Sequence, residues 1–399
     1  MTILVTGGTG NIGRHLVDHL HAGKTAFRVL ARRPAAAKAL LPTGTDVHPG
    51  DLNDPVSLAA ALTGVDQVFL LWPSLSPDGI ENVVAAFADA GVRHVVYVSA
   101  MQVTDDNRRT IGVWGQVEQA VVDAGLGHTF LRASGFATNT LGWAASVRAG
   151  EPVRIPYPEA RRSLIHEADI AAVAAVALAG EQPRGSCVLT GPRAISQADQ
   201  LAAIGAATGQ RVRYAEQPPD EARAAMATWA EPAWAEQAVA YWASLVDRPE
   251  PVTHTVEEIL DRPARTFRQW ADDHVDDFRP LPTRQVAERY VRAFREGRMD
   301  RALRLAAPDI VRVAPLEGPE RRGLDDIMAH SQQLTTDLEI HAVTVDGPFL
   351  GPDRFAVRFT FDETDRRDGR RRTTTKMSLY TVAGGAITRE EVHYLTAPA

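Results

Sequence analysis

Short apolar runs alternate with longer helical patterns along the first third of the chain. The runs are rich in β-branched residues, and some are apolar on both faces, which is typical of central parallel strands. The apolar runs cover residues 2–6, 26–31, 66–71, 93–99 and 128–132, and helical patterns cover residues 11–23, 54–63, 78–91 and 112–124. Strands that alternate with helices in this way predict an α/β fold with a doubly wound parallel sheet.

The pattern changes twice further along the chain. Residues 133–280 are more helical and less regular, which predicts a small helical lobe beside the sheet. Prolines on both sides of Leu281 favour an extended connector, and hence a domain boundary. We therefore expect one domain over residues 1–280, including the lobe, and a second over residues 283–399.

The C-terminal region combines a few helices with long candidate strands. Helical patterns cover residues 284–296, 299–306 and 323–334, and the candidate strands cover residues 338–349, 353–363, 371–382 and 386–395. Asp368-Gly369, between two of these strands, is a strong hairpin signal. This order predicts an α+β domain in which helices cover one face of a curved antiparallel sheet.

A glycine-rich segment follows the first predicted strand and opens the first helix. It reads Thr6-Gly7-Gly8-Thr9-Gly10-Asn11-Ile12-Gly13, in the context that the dinucleotide fingerprint requires. Gly7 permits the tight turn, Gly10 lets the backbone approach a pyrophosphate, and Gly13 lets the helix pack on the strand. Amides at the start of the helix would face the phosphates. The alternative is a structural turn in a fold that has lost its ligand.

The end of the second strand indicates which dinucleotide is bound. An acidic residue there would accept the ribose hydroxyl of NAD. The chain has Arg32-Arg33 instead, and planar guanidinium groups bind a 2′-phosphate through paired hydrogen bonds. NADP(H) is therefore the predicted cofactor, the alternative being two solvated arginines at a helix start. Further candidates for cofactor contacts near the strand ends are Asp51, Leu52, Leu71, Trp72 and Ser99.

The amino-acid composition limits the kinds of molecule that this protein is expected to bind. The 399 residues carry 43 basic and 50 acidic side chains and a net charge of −7, which disfavours nucleic acid as the main partner. No run of about 18 apolar residues predicts a membrane span. The single cysteine, Cys187, excludes an internal disulfide framework and suits a reducing compartment. No signal-peptide pattern precedes the first strand, so we expect a cytoplasmic protein. We also expect that it binds a small-molecule substrate and no metal.

These residues resemble the NmrA-like branch of the atypical short-chain dehydrogenase/reductases. The resemblance covers about residues 1–280, and its carriers are the glycine-rich segment, Arg32-Arg33-Pro34, Gly50-Asp51-Leu52, Tyr97-Val98-Ser99 and residues 131–136. It implies a Rossmann-type domain with a smaller substrate lobe. It also implies a contact between Arg32 and the phosphate of NADP.

The chain departs from that family at the catalytic dyad. Standard members use Tyr-x-x-x-Lys, in which the tyrosine donates a proton and the lysine lowers its pKa. None of the seven tyrosines here has a lysine four residues later, and Met101 stands where we align the family's serine. Candidate proton donors are Tyr157 and His166, although His166 has the alternative of a surface residue at a helix start. Candidates for the wall of the substrate pocket are Trp72, Trp114, Phe136 and Asn139.

Residues 283–399 resemble the SnoaL-like members of the nuclear transport factor 2-like superfamily. The carriers of this resemblance are residues 287–291, 296–300, 322–327 and 385–391. It implies a cone-shaped α+β half-barrel with an apolar pocket, in which some relatives act as cyclases or isomerases and many only bind or dimerise. Polar residues on the strands are Arg312, His341, Asp346, His393 and Tyr394, and alternation places the last two on opposite faces.

Three functions remain open at this point. The first is an NADPH-dependent reductase of a small or medium organic carbonyl or enone, with the cone holding the substrate or pairing two subunits in a homodimer. A polyketide-type substrate from secondary metabolism rests on the SnoaL resemblance alone. The second is a non-catalytic protein that senses the redox state of NADP, which the missing dyad favours. The third is a cyclase or isomerase with its chemistry in the cone.

Overall fold

The computed structural model describes residues 1–180, 184–228, 230–336 and 338–396. Strands and helices alternate from the N-terminus, as the sequence predicts. The first strands are β1 (Ile3–Val5), β2 (Phe27–Ala31), β3 (Asp46–Pro49), β4 (Gln67–Leu70), β5 (His94–Ala100) and β6 (Gly127–Ala133). The helices between them are α1 (Asn11–Ala22), α2 (Pro34–Lys38), α3 (Pro55–Leu62), α4 (Ile80–Asp89) and α5 (Gly112–Asp123).

The middle of the chain is mostly helical, with short strands between the helices. After a 3-10 helix at Ala137–Trp143 come α6 (Ala144–Ala149), β7 (Val153–Ile155), β8 (Arg161–Arg162), α7 (Glu167–Leu178), β9 (Gly185–Leu189), β10 (Ile195–Ser196), α8 (Gln197–Thr208) and β11 (Tyr214–Glu216). They are followed by α9 (Pro219–Met226), α10 (Pro232–Asp247), α11 (Thr255–Leu260), α12 (Phe267–Asp273) and α13 (Val275–Phe278).

A seven-stranded sheet organises the N-terminal half. Its order is β3-β2-β1-β4-β5-β6-β9, and every neighbouring pair is parallel. One face packs in a core with α1 and α7, and the other face packs in a second core with α3, α4 and α5. The predicted doubly wound sheet is therefore confirmed. Because all strands are parallel, their carboxyl ends meet at one edge of the sheet, where such folds bind ligands.

The chain divides into two compact units. The first contains Met1–Thr140, Arg154–Ala207 and Tyr214–Asp273, and the second contains Leu141–Val153, Thr208–Arg213 and His274–Ala399. Two short segments of the helical region therefore pack with the C-terminal half of the chain. Within the second unit, Arg148 donates a hydrogen bond of 2.6 Å to the carbonyl of Asp277. No helix in the described residues is long and apolar enough to cross a membrane.

The C-terminal half forms an α+β domain, as the sequence predicts. Its elements are α14 (Thr283–Arg295), α15 (Met299–Leu303), β12 (Ala306–Val313), β13 (Arg321–Arg322), α16 (Leu324–Thr336), β14 (Leu338–Leu350), β15 (Arg354–Asp365), β16 (Arg371–Ala383) and β17 (Ala386–Tyr394). The sheet order is β13-β12-β17-β16-β15-β14, with β12 and β17 parallel and the other neighbours antiparallel. Helix α14 packs its apolar side, including Val286 and Val291, into the core of this sheet.

One element of the C-terminal domain differs from the sequence prediction. The helix predicted over residues 299–306 ends at Leu303, and the unpredicted strand β12 begins at Ala306. Pro308 and Asp309 break the apolar alternation that marks a strand. Strand β12 forms because β17, far away in sequence, offers it a parallel partner, with Val311 opposite Arg389.

Candidate functional site

The glycine-rich segment turns from β1 into α1 with no room for side chains at its contact points. Gly7 has φ of +65°, which favours glycine, and it accepts a hydrogen bond of 2.9 Å from the amide of Gly10. A Cβ on Gly13 would lie 2.1 Å from the carbonyl oxygen of Gly7. A Cβ on Gly8 would lie 2.6 Å from Cγ1 of Val29. The glycines therefore let strand, turn and helix approach one another closely.

The start of α1 has the features of an anion site. Gly10 is the N-cap, no described side chain caps the helix, and its first turn holds no acidic residue. The helix dipole and free first-turn amides favour a phosphate at such a position. The geometry of the cradle thus fits a dinucleotide pyrophosphate, which the backbone of residues 7–13 would hold.

Thr6 joins the carboxyl ends of the two central strands. Its hydroxyl donates to the carbonyl of Phe69 at 3.1 Å and accepts from the amide of Leu71 at 2.8 Å. Leu71 in turn packs beside Gly7, where its Cδ1 lies 2.9 Å from the position that a Cβ would take. Thr6 and Leu71 therefore fix the floor of the turn.

Two exposed arginines stand at the end of β2. Arg32 and Arg33 are both exposed, and neither forms a salt bridge with another residue in the described ranges. Arg33 is also the N-cap of α2, without a side-chain capping bond. Their guanidinium groups keep their donors available for a phosphate.

The remaining predicted cofactor contacts differ in how they are used within the fold. A carboxylate oxygen of Asp51 accepts from the amide of Asn53 at 3.0 Å, and Leu52 is buried in the core. Ser99 near the end of β5 is buried, and its hydroxyl has no hydrogen-bond partner in the described part of the chain. A buried hydroxyl without a partner is uncommon and is a suitable donor for a bound polar group.

The residues predicted for the substrate pocket do not all lie together. Trp72 and Trp114 pack against the core on one face of the sheet, and Phe136 packs against the core on the other face. The indole of Trp72 donates to the carbonyl of Ser76 at 2.8 Å. Asn139 is exposed in the 3-10 helix.

The two candidate proton donors have different surroundings. His166 is 2% exposed and forms the N-cap of α7, so the alternative of a surface histidine is wrong. Its Nδ1 accepts from the amide of Ala168 at 3.1 Å, and its Nε2 lies 3.2 Å from a carboxylate oxygen of Asp273. Both ring nitrogens are therefore engaged within the fold.

Tyr157 is partly exposed in the turn that precedes β8. It has φ of +49°, a left-handed conformation that is uncommon for a residue with a Cβ. Gln197 and Ala160 donate hydrogen bonds to its carbonyl oxygen, which holds the turn in place. Retained backbone strain of this kind is concentrated at functional sites.

Sequence reasoning missed a buried ionic network behind the edge of the sheet. Glu118 of α5 is fully buried and accepts two hydrogen bonds from Arg132 of β6, at 3.0 and 2.8 Å. Arg132 and Arg108 also pair with Asp105 in the loop that follows β5. The signal in the sequence is a glutamate beside the apolar positions of a helix, which alone does not reveal its partner.

A second missed cluster packs against the residues that follow β6. Glu250 accepts from Arg162 at 3.1 Å, from the amide of Ser163 at 2.9 Å and from the hydroxyl of Tyr241 at 2.5 Å. The guanidinium of Arg162 lies 2.4 Å from the position that a Cβ on Gly135 would take. Burial and the charge of Glu250 raise the pKa of Tyr241, so its hydroxyl stays protonated.

A buried polar network lies beside the apolar core of the C-terminal sheet. Arg312 lies between two carboxylates, 2.7 Å from Glu390 and 3.0 Å from Glu317. Tyr380 donates to Glu390 at 3.1 Å, and Tyr394 donates to Glu317 at 2.7 Å. The hydroxyl of Tyr290 joins this network by donating a hydrogen bond of 2.8 Å to the hydroxyl of Tyr380.

The polar strand residues of this domain fall on both faces. Arg312 and Tyr394 point into the network, whereas His393 is exposed, as strand alternation requires. His341 bonds to Thr364 at an exposed position, and Asp346 pairs with Arg358 at the surface.

Comparison with known protein families gives two matches. Residues 7–181 match the family model described as NAD(P)H-binding, and residues 287–390 match the model of the SnoaL-like domain. The first match contains the glycine-rich segment and Arg32, and the second contains Arg312, Lys376 and Glu390.

Two related proteins are reductases, and one solved structure shares the fold of the first domain. The (4-alkanoyl-5-oxo-2,5-dihydrofuran-3-yl)methyl phosphate reductase of Streptomyces griseus is 38% identical over 285 residues, covering 70% of this chain and 99% of that protein. The NAD(P)H azoreductase of Xenophilus azovorans is 37% identical over 284 residues, covering 69% and 99%. In fold, the NADPH-dependent quinone oxidoreductase of Escherichia coli, solved with NADPH, aligns with a TM-score of 0.57 at 22% identity, covering 68% and 99%.

The fold, the glycine-rich cradle and these matches agree with one another. The first domain binds NAD(P)H, and its relatives include a phosphate-ester reductase and an NAD(P)H azoreductase. The chain belongs to the NmrA-like atypical short-chain dehydrogenase/reductases and carries a SnoaL-like domain in its C-terminal half.

Proposed function

We propose that this chain is an NADPH-dependent reductase of a small or medium organic carbonyl or enone. The observation that carries the proposal is the combination of a cradle that fits a pyrophosphate at residues 7–13 with two exposed arginines at the end of β2. The cofactor, when bound, supplies the hydride. The relatives reduce a furanone phosphate, azo compounds and quinones, all of them electron-poor organic molecules.

The chain's own residues have separate tasks in this proposal. The backbone of the glycine-rich turn and the start of α1 binds the pyrophosphate, and Arg32 with Arg33 binds the 2′-phosphate. Ser99 offers its unpartnered hydroxyl at the carboxyl end of β5. Tyr157 holds the proton that the reduced substrate takes up, since both nitrogens of His166 are engaged elsewhere.

The arginines are tested by replacing both with alanine. Hydrogen bonds to charged groups contribute about 1.5–3 kcal/mol, so the double variant should bind NADPH about 10- to 100-fold more weakly. Binding of NADH, which lacks the 2′-phosphate, should stay within about twofold. Isothermal titration calorimetry with both nucleotides measures this difference, and Arg211→Ala, at another exposed arginine, is the matched control.

Turnover separates a reductase from a redox sensor. The absence of Tyr-x-x-x-Lys from the sequence favours a sensor that binds the nucleotide without using it. A panel of quinones, enones and azo dyes with NADPH, followed at 340 nm, distinguishes the two. Oxidation of NADPH that depends on the acceptor supports the reductase. Tight binding without turnover, with a preference for one redox state, supports the sensor.

The C-terminal domain either holds the substrate or pairs two copies in a homodimer. Sedimentation velocity of the full chain tests the second role. A mass of one chain across the micromolar range would exclude the dimer and leave substrate binding, or chemistry within this domain, as its role.

A further inference from the structure

A lysine lies among the polar groups inside the C-terminal sheet. Lys376 is on β16, and the residues at alternate positions along that strand, Thr374, Ser378 and Tyr380, are all buried. Side chains at alternate positions of a strand point to the same face, so Lys376 points into the interior. It is partly exposed, and therefore within reach of a small molecule.

The carboxylates of this interior are paired with other groups. Arg312 pairs with Glu317 and Glu390, and Arg372 lies 3.2 Å from Glu363. In the described part of the chain, no carboxylate oxygen lies within salt-bridge distance of the Lys376 ammonium.

Aromatic rings take the place of an ion-pair partner. The Nζ atom of Lys376 lies 5.3 Å from the ring centroid of Phe361 and 5.8 Å from that of Tyr394. Burial lowers the pKa of Lys376, and the positive charge of Arg312 acts in the same direction. The nearby carboxylates oppose this effect without cancelling it. A reachable amine that is more readily deprotonated is a nucleophile.

We propose that Lys376 captures an aldehyde or ketone inside the C-terminal domain by forming an imine. The lysine nitrogen bonds to the carbonyl carbon, the carbon–oxygen bond breaks, and both protons of the neutral amine leave with the oxygen as water. Nothing is oxidised or reduced, so no further reactant is needed. This site lies in the second unit and does not depend on the proposed reductase function.

Neighbouring groups suit this chemistry. The hydroxyl of Ser378 is buried and lies on the same face of the sheet as Lys376. It can donate to the oxygen of the incoming carbonyl or of the departing water. The rings of Phe361 and Tyr394 favour a carbonyl compound with an aromatic body.

The experiment is reductive trapping on the full chain. Benzaldehyde and sodium cyanoborohydride at pH 7 convert an imine into a stable benzylamine, and peptide mass mapping gives the extent of labelling at each lysine. The other lysines, Lys24 and Lys38, are exposed and serve as internal standards. Because burial lowers the pKa of Lys376, a larger fraction of its amine is unprotonated at pH 7, so Lys376 should label faster than either standard.

Two controls make the result decisive. In 8 M urea the three lysines should label at equal rates, because the difference belongs to the folded domain. In Lys376→Arg, label at position 376 should disappear while Lys24 and Lys38 react as before. Labelling of Lys376 in the folded chain at or below the rate of the exposed lysines would overturn the proposal.

Discussion

At the edge of the N-terminal sheet, the proposed pyrophosphate cradle is made of backbone, with no room for side chains where strand, turn and helix meet. Glycines at positions 7, 10 and 13 leave room for a ligand and present amides to it. On the buried face of the C-terminal sheet, by contrast, side chains fill the space, and Arg312 forms salt bridges with Glu317 and Glu390. A site made of backbone leaves a short pattern in the sequence. A site made of side chains from distant strands leaves none.

The largest effect should come from breaking the side-chain site. Glu390→Ala leaves Arg312 buried with one partner fewer, and removing one member of a buried ion pair costs about 3–5 kcal/mol. Urea denaturation followed by circular dichroism measures the loss of stability. The neighbouring Glu391 pairs with Arg389 at a more exposed position, so Glu391→Ala should cost under about 1 kcal/mol. Equal losses in the two variants would show that the buried network adds no stability.

The backbone site should be broken by one methyl group. Gly13→Ala places a Cβ against the carbonyl of Gly7, and relieving such overpacking costs about 1–3 kcal/mol and distorts the cradle. The Kd for NADPH should therefore rise up to about 100-fold in calorimetry. Gly142→Ala is the matched control, because a Cβ there meets no atom within 4 Å. Unchanged binding in Gly13→Ala would contradict the assignment of the cradle.

Replacing Tyr157 tests whether a side chain donates the proton in the proposed reduction. General acid catalysis contributes about 10²–10⁴-fold, and water replaces part of it, so Tyr157→Phe should lower kcat about tenfold while the Kd for NADPH stays constant. Tyr214→Phe, at an exposed tyrosine, is the control. If kcat is the same in both variants, the proton comes from water.

The smallest expected effect is a change in how the free energy of unfolding depends on pH. Burial opposes ionisation of Glu317, but Arg312 and the Tyr394 hydroxyl outweigh it and hold its pKa below the ordinary value of 4.5. A carboxyl with a lowered pKa stabilises the folded state above that value, and this contribution is lost as the pH falls below it. Between pH 6 and pH 3, the free energy of unfolding measured by urea titration should fall less steeply in Glu317→Gln than in the parent protein. A steeper decline would mean that Glu317 does not titrate in this way.

Much of the fold follows from local patterns. The alternation of apolar runs and helical spacing predicts β1, β2, β4, β5 and β6 and the helices α1, α3, α4 and α5, because each of these patterns is contained within a few consecutive residues. Strand β12 was not predicted because Pro308 and Asp309 interrupt its apolar alternation, and pairing with β17, far away in sequence, helps to make it a strand. Long-range pairing of this kind cannot be deduced from one segment.

The candidate site divides in the same way. The residues of the glycine-rich segment are consecutive, and Arg32 is next to Arg33 at the end of a predicted strand, so each of these two motifs can be recognised in the sequence. Glu118 with Arg132 and Glu250 with Arg162 are 14 and 88 residues apart, and only the folded chain brings each pair together. His166 shows the converse, since its position at a helix start was predicted correctly but its burial depends on residues far along the chain.

The division of the chain into units bears on how such proteins can be recombined. Residues 141–153 lie early in the chain, yet they belong to the same unit as the C-terminal sheet, where a Cβ on Gly384 would lie 3.6 Å from the carbonyl oxygen of Arg148. A cut near residue 282 would therefore strip neighbours from a segment left behind on the other fragment. An exchange of the C-terminal domain between homologues should carry this early segment with it, so that the transplanted module is discontinuous in the gene.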